Sequence, residues 1–510
     1  MNEEAARDRR GPPHPVPASS APGSRTGRTG FDARRLQRGG APGALRCLIA
    51  SGGRLADTRV MRVAVMTAGS RGDVAPYTGL AHGLARAGHE VTLATHGSFR
   101  SVVAAPGVGF HPLPVDPRAV LESERGRGLH DSTTGAGKIL RLMSIGRTVV
   151  AEMAAELVGV ARENEVLLLS SSLAPLGYAI GQGLGVPSMG VYLQPLHPTG
   201  AFGPSVIGTR SFGPAGNRLA AHVVNAGVDG MFTPTLRTTV RQLLGLPRGS
   251  ARTARHAARE RRLWPVHHGF SPLVVPRPRD WRPGLTVSGY WWPYDPPDAE
   301  LPARVRDFID AGPPPVFVGL GSATVPDPAG TSALVVRALR AAGLRGVIQR
   351  GWAGLRADED RESGEGGAGH AGSRGGGGEV LTVGDVPHAL LFPRMAAVVH
   401  HCGAGTTGAG LRAGVPAVPV PVQFDAGFWA ARLVALGVSP VAVPLRQLTV
   451  DRLAAALTAA VRNPAYARRA ARVAGRLRAE DGVAPVLATL DRLATSEPPP
   501  SAPPSALSPH

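Results

Sequence analysis

The sequence predicts an α/β protein made of two parallel sheets that face a cleft, and two observations carry that expectation. Short apolar strands alternate with amphipathic helices twice, once between residues 63 and 193 and again from residue 315 to 425. Such alternation calls for right-handed βαβ crossovers and therefore for parallel strands. In both halves, moreover, a strand empties into a turn of glycines and hydroxyls. The first half has Gly69-Ser70-Arg71-Gly72-Asp73, and the second has Gly319-Leu320-Gly321-Ser322 and Gly403-Ala404-Gly405-Thr406-Thr407. Open α/β sheets bind ligands at the carboxyl ends of their strands, where these turns fall.

The elements follow in order. Residues 1–60 are Pro-, Gly- and Arg-rich without a sustained apolar period, so they are expected to be a disordered leader, with Met61 as a candidate for the true start. An N-terminal domain is expected over 61–290. In it Val63–Thr67 reads as a strand, Pro76–Ala87 as a helix ended by Gly88, and Val91–Thr95 as the next strand. A longer helix is expected over Ile139–Arg162, then strand Val166–Leu169, helix Ala174–Leu184 and strand Ser188–Leu193. Val287 to Pro293, with its Tyr-Trp-Trp, marks a junction, and 291–310 is expected to link the domains. The C-terminal domain, 311–495, opens with a buried strand in Pro315–Ser322. Helix Ser332–Ala342 and strands Gly346–Gln349, Val380–Val383 and Ala396–Val399 follow, with a Gly-rich flexible insertion at 362–379. The tail, 496–510, is Pro- and Ser-rich and is expected to be disordered.

Composition removes several classes of function. The 510 residues carry a net charge of +19, with eleven arginines against five acids in the first sixty positions. A second basic cluster includes Arg237, Arg248, Arg252 and Arg255. It lacks interleaved aromatics and matches no nucleic-acid module, so no nucleic-acid partner is expected. Cys47 and Cys402 are too few for a disulfide framework, which fits a reducing compartment. No run of eighteen apolar residues or signal-peptide core appears, so the cytoplasm is the expected location. Peripheral contact with a membrane stays open, integral insertion does not.

The chemistry concentrates in HHCGAGTTGAGLRAGVPAVPVPVQFD, residues 400–425. Strand, glycine turn and a helix-like segment Ala409–Ala413 place unpaired N–H groups and a positive helix end at one point, where a phosphate can sit. His401, Thr406 and Thr407 would add donors. Asp425 follows at the expected carboxyl end of the next strand. A diphosphate anchor with a carboxylate one strand away points to a nucleotide-sugar donor, while the plain alternative is a βαβ unit whose glycines only permit tight packing. In the first half Asp73 lies just before the expected helix. It reads either as that helix's N-cap or as a general base facing the cleft. Sugar transfer needs a base for the acceptor hydroxyl and fixed donors for the departing diphosphate. The helix end, His401 and Ser322 would supply the donors, so no metal is expected.

Several separated motifs, arriving in one order, resemble a known family. They are GSRGDVAP at Gly69–Pro76, LARAGHEVTLATH at Leu84–His96, FSPLVVPRPRDW at Phe270–Trp281 and SGYWW at Ser288–Trp292, then VGLGS at Val318–Ser322, QRGWAGL at Gln349–Leu355, VGDVPHALLFPRMAAVVHHCGAGTT at Val383–Thr407 and AGVPAVPVP at Ala413–Pro421. From Met61 to Ala494 the chain resembles the sterol 3-β-glucosyltransferase branch of the family 1 glycosyltransferases, close to the vancomycin-type antibiotic glycosyltransferases. The resemblance implies the GT-B fold of two Rossmann-like domains, with the donor held in the second and the acceptor in the first. It also implies inverting transfer of a hexose from a UDP- or TDP-sugar to a lipophilic hydroxylated acceptor, without metal or resident cofactor. By position it makes Asp73 the catalytic base, places Ser322, His401, Gly403, Gly405, Thr406 and Thr407 on the diphosphate, and puts Trp352, Val386 and His388 around the nucleotide base. Asp425 then binds sugar hydroxyls. One departure stands beside it: the family reads Gly-Asp-Gln before its aromatic, whereas Ala426 follows Asp425 here. A deoxysugar donor, an altered sugar pose or weakened activity would each follow from it. A nucleotide-sugar epimerase of the same fold and a degenerate sugar-nucleotide binder are the rival readings.

Overall fold

The computed structural model describes residues 59–116, 118–119, 150, 152–245, 263–357 and 379–495. All but the last two residues of the expected leader, the tail, the basic segment at 248–262, most of the 362–379 insertion and most of the first half of the Ile139–Arg162 helix lie outside the described residues.

The chain forms two all-parallel sheets. In the first, β1 (Arg62–Met66) leads through α1 (Arg71–Arg86) to β2 (Glu90–His96), and β3 (Val108–Leu113) follows. Then come β4 (Val166–Leu169), α2 (Ala174–Leu184), β5 (Ser188–Tyr192), α3 (Gly213–Thr235), β6 (Val266–His268) and β7 (Leu285–Val287). The spatial order is β3-β2-β1-β4-β5-β6-β7, so β1 is an interior strand and the crossovers reverse between β1 and β4. The crevice at that reversal is where such sheets take ligands.

The second sheet has the order β10-β9-β8-β11-β12. Its elements are α4 (Ala303–Asp310), β8 (Val316–Gly319), α5 (Pro328–Ala342), β9 (Gly346–Gln349), β10 (Val380–Val383), β11 (Ala397–His400), α6 (Ala404–Ala413), β12 (Ala417–Pro419) and α7 (Ala426–Ala435), followed by α8 (Val450–Arg462), α9 (Pro464–Leu477) and α10 (Ala484–Thr495). Central strands read as continuous apolar runs because helices cover both faces. β8 and β11 are buried at every position. A short helix, α4, stands inside the expected linker, with Val305 and Ile309 in the core.

The last helix returns to the first sheet. Val486 and Leu490 of α10 join a cluster with Val63, Tyr77, Leu80 and Trp291. The Trp291 indole donates to the Gly482 carbonyl at 2.8 Å, and Thr489 meets His267 at 2.9 Å. Trp291 is 2% exposed, so its replacement by Ala would cost about 3–5 kcal/mol and loosen this clasp.

Four local expectations are corrected. Helix α1 starts at Arg71, five residues before Pro76. Pro76 is therefore the sixth helical residue and deletes the bond that its N–H would have made to Gly72 O. Asp73 consequently sits inside the helix at its third position. Helix α6 begins at Ala404, so most of the expected glycine turn is already helical. Helix α5 is capped by Asp327, which accepts from Gly330 N at 2.8 Å, leaving Ser332 further in and buried. Asp425 lies beyond the end of β12, immediately before α7.

Candidate active site

The site begins at the end of β1, where Gly69 adopts φ +145°. A β-carbon there would stand 2.5 Å from Asp73 Oδ2, so glycine makes room for the carboxylate. The Ser70 N–H and the Ser70 hydroxyl both donate to that same oxygen at 2.9 Å. The first of these bonds is the carboxylate half of a capping box, which stabilises a helix start by about 1 kcal/mol. The Thr67 hydroxyl anchors the turn through Asp73 O at 2.7 Å, and Gly69 N donates to His96 Nε2 at 3.0 Å. Burial raises the Asp73 pKa above the ordinary carboxylate value, opposed by the Ser70 bonds and the Gln194 side chain. The N-cap is Ser70, so the N-cap reading of Asp73 is corrected: it is the third helical residue, half-buried, and its carboxylate bonds back to the cap.

Across from it, α6 begins without a side-chain cap. Its N-cap is Gly403, in extended conformation. The opening N–H groups of this ten-residue helix are left for a ligand or water, beside the positive end of its dipole. Cys402, at φ +67°, turns the chain sharply between β11 and the helix and is buried. His401 packs beneath the turn: β-carbons at Gly321 and Gly403 would come within 2.6 and 2.7 Å of its ring. Burial lowers the His401 pKa to about 4, so near neutrality it is an uncharged imidazole with one N–H to give. Thr406 is half-buried at the turn. Thr407 is wholly buried, and its hydroxyl has no partner among the described residues, so it faces the protein interior rather than open space.

The two helix starts are brought together by the Tyr-Trp-Trp junction. A β-carbon at Gly79 of α1 would lie 1.6 Å from the Trp292 carbonyl oxygen, and one at Gly408 of α6 would lie 2.7 Å from the Tyr290 ring. Only residues without side chains let both helices close on this wedge. As a result Gly405 sits against Gly72 O, to which an added β-carbon would be 3.6 Å. Nearby, Arg71 pairs with Asp385 at 2.7 Å across the two sheets. Both partners are largely exposed, so the pair is worth at most about 1 kcal/mol.

The remaining expected residues surround the second sheet's turns. Ser322 follows β8 and is half-buried, and the Trp352 N–H donates to Gly321 O at 2.9 Å, tying the β8 and β9 turns together. Gly351 makes this possible, since a β-carbon there would be 2.5 Å from Gly321 O. Val386 is buried in the core. His388 stacks on Phe392 with ring centroids 4.2 Å apart, and burial together with Arg71 and His401 lowers its pKa to about 4. Asp425 Oδ2 accepts from the Trp429 indole N–H at 2.7 Å. Burial raises the Asp425 pKa to about 6, the Trp429 bond opposes that, and the charge of Asp73 adds to it. Ala426 is 3% exposed and belongs to the apolar core. Among the described residues no group of three or more His, Cys, Asp or Glu is arranged to hold a metal ion, and no helix is long and apolar enough to cross a membrane.

Sequence reasoning missed Trp429, Gly79 and the Ser171–Gln194 contact, in which the Ser171 hydroxyl donates to Gln194 Oε1 at 3.0 Å. Trp429 had a legible signal, since it stands one helical turn after Asp425. Gly79 had none, because its partner is more than two hundred residues away.

The glycosyltransferase family 28 N-terminal domain profile matches residues 63–154, and the erythromycin biosynthesis protein CIII-like C-terminal domain profile matches 375–492. The chain is 31% identical to a sterol 3-beta-glucosyltransferase of Arabidopsis thaliana over 83% of its own length and 66% of that relative's. A second Arabidopsis thaliana sterol 3-beta-glucosyltransferase is 29% identical, with 64% of its length matched. The chain thus spans about two thirds of the plant relatives' length. It is 32% identical to the O-mycaminosyltylonolide 6-deoxyallosyltransferase of Streptomyces fradiae, covering 83% of this chain and 95% of that one. Among solved structures, the kitacinnamycin glycotransferase superposes with a TM-score of 0.58 at 19% identity, covering 85% of this chain and 99% of that one. SnogD of Streptomyces nogalater gives 0.57 at 18% identity, with 86% and 100% covered. These likenesses give the GT-B fold, and the epimerase alternative finds no support among them.

Proposed function

We infer that this chain, which belongs to the glycosyltransferase family shared by the sterol 3-beta-glucosyltransferases and the antibiotic glycosyltransferases, moves a hexose from a UDP- or TDP-sugar to a hydroxyl of a lipophilic acceptor, with inversion at the anomeric carbon. The observation that carries the reading is the meeting of the start of α1, which carries Asp73, with the uncapped start of α6, where Gly405 abuts the Gly72 carbonyl. One side offers a proton acceptor and the other offers donors to an anion.

In this reading the donor diphosphate lies on the first N–H groups of α6, with Ser322, His401 and Thr406 beside it. Trp352 and the backbone around Val386 and His388 surround the nucleotide base. Asp425 accepts from the sugar. The acceptor oxygen forms its bond to the anomeric carbon while Asp73 takes the hydroxyl proton, and the bond to the diphosphate breaks with its electron pair going to phosphate oxygen. A positioned base contributes typically about 10²–10⁴-fold, and each fixed donor on the departing charge about 10²–10³-fold. The base must be ionised, so a raised Asp73 pKa makes it a better proton acceptor near neutrality at the cost of activity in acid. The nucleotide sugar is a co-substrate, the scheme uses no resident cofactor, and the proposed location is the cytoplasm. A solved glycosyltransferase of the same fold, VinC, was crystallised with dTDP, which favours including TDP donors.

Ala426 supports a finer reading of the donor. Where an amide would contact sugar hydroxyls, the chain presents a buried methyl group, which suits a deoxysugar better than glucose. The test is turnover of UDP- and TDP-sugars with mixed hydrophobic alcohols by wild type and Asp73→Asn. Transfer by the wild type alone supports the reading, and equal turnover by both removes Asp73 as the base.

A further inference from the structure

Asp425 is held in a way that the sugar-binding role does not require. Its Oδ2 accepts from the Trp429 indole at 2.7 Å, from one turn further along α7. Trp429 is 0% exposed and wedged between Phe270 of the first lobe, with centroids 5.6 Å apart, and Phe428, at 5.4 Å. Arg432 of the same helix donates to Val274 O of the first lobe at 2.6 Å, and Phe202 meets Phe428 at 5.1 Å. The indole is thus fixed on several sides before it donates. Its neighbour Ala426 offers no polar atom, so the carboxylate is the polar group that this helix start presents.

We propose that Trp429 is a positioning residue for the donor sugar: its indole N–H fixes Oδ2 of Asp425, so that Oδ1 is aimed to accept from a sugar hydroxyl. This rests on the reading of Asp425 as the donor-sugar carboxylate. The indole also keeps that carboxylate ionised. The groups facing Asp425 work against ionisation or are neutral: the Asp73 carboxylate across the cleft adds repulsion, and the Cys402 thiol is held un-ionised by burial. With its pKa near 6, Asp425 accepts from the sugar above that pH, and donor affinity falls as pH drops through it. Without the indole the pKa rises, so the fall moves to higher pH.

The experiment compares wild type, Trp429→Phe and Asp425→Asn, reading the Kd of UDP-glucose and of UDP by calorimetry from pH 5 to 8, with dTDP-glucose and dTDP as a second pair. Phenylalanine keeps a buried ring and removes the N–H. The expected result for Trp429→Phe is a roughly ten- to hundredfold weaker nucleotide sugar at neutral pH, because a hydrogen bond to a charged group is lost. The free nucleotide should bind as before, and the acid loss of donor affinity should begin about one pH unit higher. Asp425→Asn should bind the nucleotide sugar weakly at every pH. It supplies the test of pH dependence if the tryptophan variant does not fold. Unchanged donor affinity and pH dependence in Trp429→Phe, or an acid loss retained in Asp425→Asn, overturns the proposal while leaving the transferase reading intact. A wild type that binds neither the nucleotide sugars nor UDP nor dTDP overturns both.

Discussion

The starts of α1 and α6 face each other across the cleft and solve the same electrostatic problem in opposite ways. Each follows an interior strand, and each leaves opening N–H groups that nothing in the helix can satisfy. Helix α1 carries its own anion: Asp73 reaches back to Ser70 and fills its helix start from within. Helix α6 carries none, for Gly403 has no side chain to offer. Identical backbone physics therefore yields a site that is negative on one side and receptive to a negative group on the other. What separates a base from an anion cradle here is one carboxylate three residues into a helix.

The largest test removes that carboxylate. Asp73→Asn keeps the shape and a hydrogen-bonding oxygen, so nucleotide affinity should be preserved while kcat falls by roughly 10²–10⁴-fold, measured in steady-state transfer. The pH profile belongs to the same test. Ionised Asp73 and Asp425 are both required and both pKa values are raised, so kcat/KM should decline as pH falls through about 6 rather than near the ordinary carboxylate value. A profile flat down to pH 5 would contradict it.

Making the second helix start resemble the first is the next test. A side chain at Gly405 meets only ordinary contacts, 3.6 Å from Gly72 O and 3.7 Å from Pro76. Gly405→Asp should leave the melting temperature level or higher, since a carboxylate in the first turn favours the helix. It should weaken UDP and dTDP by about 10- to 100-fold through repulsion of the diphosphate. Tighter nucleotide binding would mean that the anion sits elsewhere.

A smaller shift is expected from Ala426→Gln. One neutral hydrogen bond is worth about 0.5–1.5 kcal/mol, so the ratio of kcat/KM for UDP-glucose over a UDP-deoxyglucose should rise by roughly two- to tenfold. Smallest of all, Arg71→Ala breaks an exposed pair and should change kcat/KM by less than about fivefold. A larger loss would mean that Arg71 touches substrate.

Much of this was legible beforehand. The strands Val166–Leu169, Gly346–Gln349 and Val380–Val383 occur where the apolar runs put them, because a strand buried on both faces advertises itself as an unbroken apolar stretch. Helix starts were harder. Pro76 looked like a first helical residue, and the glycines before Ala409 looked like loop. In both cases the helix begins earlier, because packing between α1, α6 and the Tyr-Trp-Trp wedge outweighs the weak helix propensity of glycine and proline. Asp73 read as a choice between cap and base because sequence spacing does not reveal what lies across a cleft.

The sequence by itself determined the two parallel sheets, the family, and the residue types at the strand ends, since periodicity and turn chemistry act within a few residues along the chain. Only the tertiary structure decided that the starts of α1 and α6 meet, that Thr407 points inward while Thr406 stays half-buried at the turn, that Trp429 holds Asp425, and that α10 clasps the first sheet. Those outcomes depend on close approach between segments far apart in sequence, at Gly79 and Trp292 or Gly408 and Tyr290. Steric fit of that kind leaves no local pattern to read.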